Sequence, residues 1–134
     1  MNAIKTINPL IKLPVETKEY CVLDAIKDNG KVIIPVSHTL YCYQTMKILY
    51  LEAYANYTNL VLTTGERHCI SKTMKEVMTY LPENLFFRIH KSYVVNAQHI
   101  SMIELSKSNQ VTLTGDIKLP VSRERKEMFS KYFG

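Results

Sequence analysis

The feature that most constrains this chain is its punctuation. From Tyr20 onward, short runs rich in Val, Ile, Leu, Thr, Tyr and Phe alternate with brief polar turns. One interior segment departs from this and repeats its apolar residues at a helical period. A chain so patterned is expected to bury strands, because β-branched and aromatic side chains suit a pleated surface. Tyr20–Ile26 and Lys31–Val36 flank Asp28-Asn29-Gly30, and Asn-Gly supplies the positive φ angles of a tight hairpin turn. Leu40–Tyr43, Ile48–Ala53 and Asn59–Thr63 follow as strands, and Thr64-Gly65 turns the last of them into Glu66–Ile70. Ser71 can cap a helix in which Met74, Val77, Met78 and Leu81 fall at i, i+3, i+4 and i+7, before Pro82 ends it. Phe86–Ile89, Tyr93–Val95, Ile100–Leu105, Val111–Thr114 and Ile117–Val121 are further strands, with turns at Ser108-Asn109 and Gly115-Asp116. A closing helix from Arg123 to Tyr132 would present Met128, Phe129 and Tyr132 on one side. The pattern therefore predicts a mainly β fold of about nine or ten short strands with one or two short helices.

With 134 residues, 46% of them hydrophobic, the chain can bury one core without staples. Residues 1–19 have no sustained period and contain Pro9 and Pro14. Residues 1–29 are thus expected to be an arm or linker that begins a hairpin, and residues 30–134 the domain. Cys21, Cys42 and Cys69 are odd in number, far apart and set in apolar runs, where thiols act as small hydrophobes; a reducing compartment follows. The sequence contains no secretory leader pattern and no apolar run of membrane-spanning length, so a soluble, cytoplasmic protein is expected, with no membrane partner. Lys and Arg outnumber Asp and Glu by 17 to 12, and residues 68–134 carry 10 of those cations against 6 acids. That surplus is compatible with a polyanionic partner and equally with an ordinary solvated surface.

Enzymatic patterns do not converge. The sequence has no paired-Cys zinc spacing, no His-Glu-x-x-His, and no glycine loop to cradle phosphate. His90 and His99 lack an acidic or thiol neighbour at ligand spacing. No catalytic residue, metal, cofactor or small-molecule substrate is expected.

Three polar clusters are chemically more informative. In Phe86-Phe87-Arg88-Ile89-His90-Lys91-Ser92-Tyr93-Val94-Val95-Asn96, two apolar strands bracket a polar knot. Strand alternation would put Arg88 and His90 on one face, with Phe87 and Ile89 toward the core, so that the polar face carries donors for phosphates and base edges. Ser122-Arg123-Glu124-Arg125-Lys126 follows the strand ending Leu119-Pro120-Val121, and Arg123 has the fork that can bond guanine O6 and N7 together. The turn Ala55-Asn56-Tyr57-Thr58 offers groups for base edges and phosphate. Lys72, at the start of the predicted helix, would lie beside amides that attract phosphate. Each cluster also has a bland alternative: a half-solvated strand, a charged helix face, a common turn.

Taken together, Ile48-Leu49-Tyr50-Leu51-Glu52-Ala53 with Asn56-Tyr57, the helix after Ser71, the block Phe86–Asn96 and Leu119-Pro120-Val121-Ser122-Arg123 occur in the order of a LytTR domain. The chain resembles that DNA-binding family over roughly residues 30–134. The resemblance implies an elongated set of small antiparallel sheets with a short helix, whose loops enter successive major grooves. It implies base or phosphate contacts at Tyr57, Thr58, His90, Lys91 and Arg123, supported at phosphates by Arg88, Ser92, Lys72 and Arg125. It further implies a transcriptional regulator acting on double-stranded promoter DNA, with paired repeats and a homodimer on DNA. Family members usually carry a receiver domain ahead of this one, and too few residues precede Ile48 to hold it. A protein-interaction module that has lost DNA binding is the rival; an RNA binder would need an exposed aromatic stacking pattern. The regulator reading requires that Thr58, Lys91 and Arg123 line up along one edge of the β body, neither on opposing sides nor sealed inside.

Overall fold

The computed structural model describes residues 22–133. Packing divides the chain into two units, Met1–Lys31 and Val32–Gly134. In the first, helix α1 (Val22–Asp28) carries Asp24 in its first turn and Lys27 in its last, charges that complement the helix dipole. Gly30, at φ +77°, stops it: the amides of Asn29 and Gly30 bond back to the carbonyls of Ile26 and Lys27 at 3.2 and 3.0 Å. The expected hairpin between Tyr20–Ile26 and Lys31–Val36 is therefore corrected. Asn-Gly does supply a positive φ, but it closes a helix. Residues 1–19, expected to form the arm, lie outside the described residues, as does Cys21.

The second unit holds strand β1 (Lys31–Val36) from Val32 onward, then β2 (Thr39–Gln44), β3 (Ile48–Tyr54), β4 (Tyr57–Leu62) and β5 (Arg67–Ile70). Helix α2 (Met74–Met78) follows, then β6 (Phe86–His90), β7 (Tyr93–Asn96), β8 (Ile100–Glu104), β9 (Gln110–Leu113), β10 (Ile117–Pro120) and helix α3 (Arg123–Phe133). The strands form a two-stranded sheet β1-β2, a five-stranded sheet β5-β4-β3-β7-β6 and a three-stranded sheet β10-β9-β8. Pairings in the two larger sheets are antiparallel.

The five-stranded sheet is covered on both faces. Leu51, Leu60 and Val94 pack into one core with Val32, Ile34, Met74, Val77 and Leu81. Tyr50, Val61 and Val95 pack into the other with Val111, Leu113, Leu119 and Val121. Covering both faces explains why Ile48–Leu51 is continuously apolar instead of alternating. A register shift between Ile48 and Tyr50 turns both Leu49 and Tyr50 into the second core.

Helix α2 buries Met74, Val77 and, just beyond it, Leu81, as the helical period predicts. Its cap is Thr73, not Ser71: the Thr73 hydroxyl accepts from the Glu76 amide at 3.3 Å, while the Glu76 carboxylate accepts from the Thr73 amide at 2.9 Å. Asn96 is fully buried, and its amide nitrogen donates to the carbonyls of Thr45 and Ile48 at 3.1 and 2.9 Å, stapling β7 to the turn before β3. Cys42 and Cys69 are exposed thiols and not the small core hydrophobes their apolar surroundings suggested. Among the described residues, no helix is long and apolar enough to cross a membrane.

Candidate nucleic-acid interface

Register brings four stretches to one end of the five-stranded sheet. The pairs Ala53–Thr58 and Tyr54–Tyr57 close the β3–β4 hairpin over Ala55-Asn56. Glu52 pairs with Tyr93, and the Ala53 amide donates to the Ser92 carbonyl at 2.8 Å, so the β6–β7 turn lies at that same end. Thr58 pairs with Ile70, which brings Ser71-Lys72 there from β5. On the far side, the Ser122 amide donates to the Ile89 carbonyl at 2.9 Å and ties the start of α3 to β6. At the usual strand spacing, the row from β5 to β6 is about 19 Å across.

The β6–β7 turn is locked from within. Arg88 donates from Nε to the His90 carbonyl at 3.2 Å, and its terminal nitrogen donates to the Lys91 carbonyl. The Ser92 amide donates to His90 Nδ1 at 3.1 Å. Burial, and then the Arg125 charge, lower the pKa of the Arg88 guanidinium. Lys91 is exposed at the apex. Ser122 also caps α3, its hydroxyl accepting from the Arg125 amide at 3.3 Å and its carbonyl from the Lys126 amide at 2.9 Å. Exposed Arg123 is thereby held at the first helical position beside the turn. Arg88, His90, Lys91, Ser122, Arg123, Glu124 and Arg125 line one concave surface. Two clusters more than 30 residues apart in sequence thus converge.

Other expected residues fare differently. Tyr57 is exposed at the hairpin tip, as is Tyr54 across from it. Thr58 is fully buried, and its hydroxyl donates to the Lys72 carbonyl at 2.8 Å, so of the three tips required along this edge one is sealed inside while Lys91 and Arg123 are exposed. Its place one residue inside the hairpin made it look like part of the turn. Lys72 lies at the correct end of the sheet, but the donors at the start of α2 are already capped by Thr73 and Glu76. Its Nζ sits 5.8 Å from the centre of the Tyr80 ring. Arg88 commits its fork to the turn carbonyls, so its role in the geometry is to shape the loop. Phe87 is 39% exposed and not in the core, because β6 is an edge strand with a register shift between Arg88 and His90. Sequence reasoning missed the side chains beneath the turn, Glu52, Arg67 and Tyr93, which lie on two separate strands and the turn-proximal end of a third. Their common face follows only from register. Among the described residues, no three His, Cys, Asp or Glu side chains gather as a metal site.

A β scaffold carrying basic loops and a helix start at one sheet end defines a loop-presenting, nucleic-acid-binding class of fold. The LytTr DNA-binding domain model matches residues 38–134, and the chain belongs to that family, which is a DNA-binding and not an enzyme class. A solved LytTr DNA-binding domain from Bacillus cereus superposes with a TM-score of 0.63 at 23% identity, covering 78% of this chain and 97% of that one. Transcriptional regulatory protein YpdB of Escherichia coli (strain K12) is 29% identical over 116 residues, 84% of this chain and 43% of YpdB. Sensory transduction protein LytR of Staphylococcus epidermidis is 34% identical over 74 residues, 54% of this chain and 29% of LytR. Transcriptional regulatory protein NatR of Bacillus subtilis is 23% identical over 108 residues, 78% of this chain and 46% of NatR. The chain thus spans less than half the length of these curated relatives.

Proposed function

We propose that this chain is a cytoplasmic, sequence-specific transcriptional regulator whose DNA-binding domain occupies residues 30–134, with residues 1–29 as an arm. The observation that carries the reading is the convergence of Arg88, His90, Lys91, Arg123 and Arg125 at one end of the sheet. Arg123 and His90 read base edges in the major groove. Lys91, Arg125, Ser92 and the Tyr57 hydroxyl bond phosphates, which fixes register. The sheet-end row of about 19 Å exceeds the ~12 Å width of one major groove, so its outer members straddle a phosphate ridge. Two protomers on paired repeats about one helical turn apart would occupy one face of the duplex.

The test is duplex binding at several salt concentrations. Two cations at phosphates, Lys91 and Arg125, give a slope of log K against log salt of about −2, superimposed on a sequence preference. Arg123→Ala should lower affinity for a duplex enriched from a random library by roughly 1–3 kcal/mol and flatten the preference. Equal losses on enriched and random duplex would remove Arg123 as a base reader. Salt-independent behaviour with nothing enriched would favour a protein-interaction module on the same scaffold.

A further inference from the structure

Beneath the β6–β7 turn, a row of side chains runs across the face of the sheet that carries the second core. Arg67, on edge strand β5, bonds the Glu52 carboxylate on β3 and donates to the Tyr50 hydroxyl at 3.4 Å. The Tyr50 ring meets that of Tyr93 edge-on, with centroids 6.2 Å apart at 61°. Burial, and then the facing Glu52 carboxylate, raise the pKa of the Tyr93 hydroxyl. The Tyr93 ring in turn lies 5.7 Å from the His90 ring, tilted by 49°. Such aromatic contacts restrict ring orientation beyond what area burial alone does. The imidazole is fixed a second way. A backbone amide can only donate, so the Ser92 amide at 3.1 Å requires a lone pair on His90 Nδ1, and the neutral ring carries its hydrogen on Nε2.

We infer that Tyr93, held by Glu52 and Arg67, is a positioning residue that orients His90 so that Nε2–H is offered to an acceptor on a base edge. That edge is purine N7, guanine O6 or thymine O4, and not the amino group of cytosine, which has only hydrogens to give. Arg67 has a second effect in the row: it neutralises Glu52, whose charge would otherwise lie close to the phosphates. The inference rests on the DNA-reading assignment of His90 and adds the base chemistry and the residues that enforce it.

The experiment uses the full chain, a duplex enriched from a random library, and a random duplex. It compares wild type with His90→Ala, Tyr93→Leu, Tyr93→Phe and Glu52→Gln, and follows imidazole nitrogen resonances of histidine-labelled protein. Wild type should show His90 as the Nε2–H tautomer. Tyr93→Leu should average that signature and lower affinity for the enriched duplex as much as His90→Ala does, on the order of tenfold, without changing binding to random duplex. Combining the two should cost no more than either alone. Tyr93→Phe keeps the ring but loses the hydroxyl that faces Glu52, so Tyr93→Phe and Glu52→Gln should both shift the two readouts part of the way toward Tyr93→Leu. At the contacted position, one of 7-deazapurine, which removes N7, 2-aminopurine in place of guanine, which removes O6, or 4-thiothymine, which replaces O4 by sulfur, should weaken wild type and leave His90→Ala unaffected. If His90→Ala loses its preference but Tyr93→Leu and Glu52→Gln keep both tautomer and preference, positioning is wrong and the DNA reading stands. If His90→Ala leaves the preference intact, the assignment of His90 as a base reader is itself wrong, and this inference falls with it.

Discussion

Two turns sit side by side at the same end of one sheet and are built in opposite ways. The β3–β4 tip is held by backbone pairing: Tyr54 and Tyr57 are 68% and 45% exposed, and among the described residues no hydrogen bond fixes the side chains of Asn56 or Tyr57. Even its backbone is strained, with Ala55 at φ 54°. The β6–β7 turn is fastened by Arg88 to two of its carbonyls and by the Ser92 amide to the His90 ring, and the Ser122 amide ties the strand leading into it to the start of α3. Ordering a loose side chain on binding costs conformational entropy, whereas a preorganised one has already lost it. Under the proposed function, precise reading falls to the fastened turn and adaptable contact to the loose one.

The largest test converts the second turn into the first. Arg88→Ala removes two charge-assisted bonds and should lower folding stability by about 2 kcal/mol in denaturant melts. Affinity for enriched duplex should fall much further than affinity for random duplex. Arg88→Lys should not restore either, because an ammonium lacks the fork that reaches both carbonyls. Unchanged sequence preference in Arg88→Ala would show that the fastening has no bearing on reading. Next comes Thr58→Val, which removes the buried bond to the Lys72 carbonyl. It should cost roughly 1–2 kcal/mol of stability with no change in DNA affinity per folded molecule, the reverse of what a DNA-contacting threonine would give.

The same contrast shows what was legible in the residues and what was not. Strands β3 to β10 stand where β-branched runs and turn signals put them, because those patterns are local. The α1 segment was misread because Asn29-Gly30 serves a helix end as well as a hairpin, and seven residues are too few for a period to decide. Among the expected site residues, Lys91 and Arg123 stand out by chemistry, and the structure brings them, exposed, to one concave surface. The burial of Thr58 was not legible, since it depends on which way a hairpin residue points once Ile70 lies across from it. The row of Glu52, Arg67 and Tyr93 was likewise invisible, because each is an ordinary strand residue until three registers are known together. Tyr57→Ala should have a smaller effect than either substitution above: stability within about 0.5 kcal/mol and a slight loss of affinity shared by all duplexes. A loss confined to one sequence would turn the loose tip into a reader.

A third turn sharpens the comparison further, because it is fastened by an anion instead of a cation. Between β8 and β9, the Glu104 carboxylate accepts from the amides of Ser106, Lys107, Ser108 and Asn109 and from the Ser106 and Ser108 hydroxyls. The Ser106 hydroxyl, then that of Ser108 and the backbone amides, hold its carboxyl well below the usual carboxylate range. A depressed folded-state pKa means that the stabilisation is present above the unfolded value of about 4.3 and is lost as pH falls below it toward the folded value. Hydrogen exchange at residues 106–109 should therefore lose protection in acid relative to the Ala53 amide, which bonds the Ser92 carbonyl of the β6–β7 turn. The Arg88 lock contains no group that titrates in that range. Glu104→Gln at neutral pH should reproduce the loss without protonating any other carboxylate, and overall stability should hardly move, since the loop is exposed. Equal loosening of both turns in acid would mean that the β6–β7 turn depends on the lone pair of His90 Nδ1 or on the Glu52 carboxylate facing Tyr93, and Glu52→Gln separates the two.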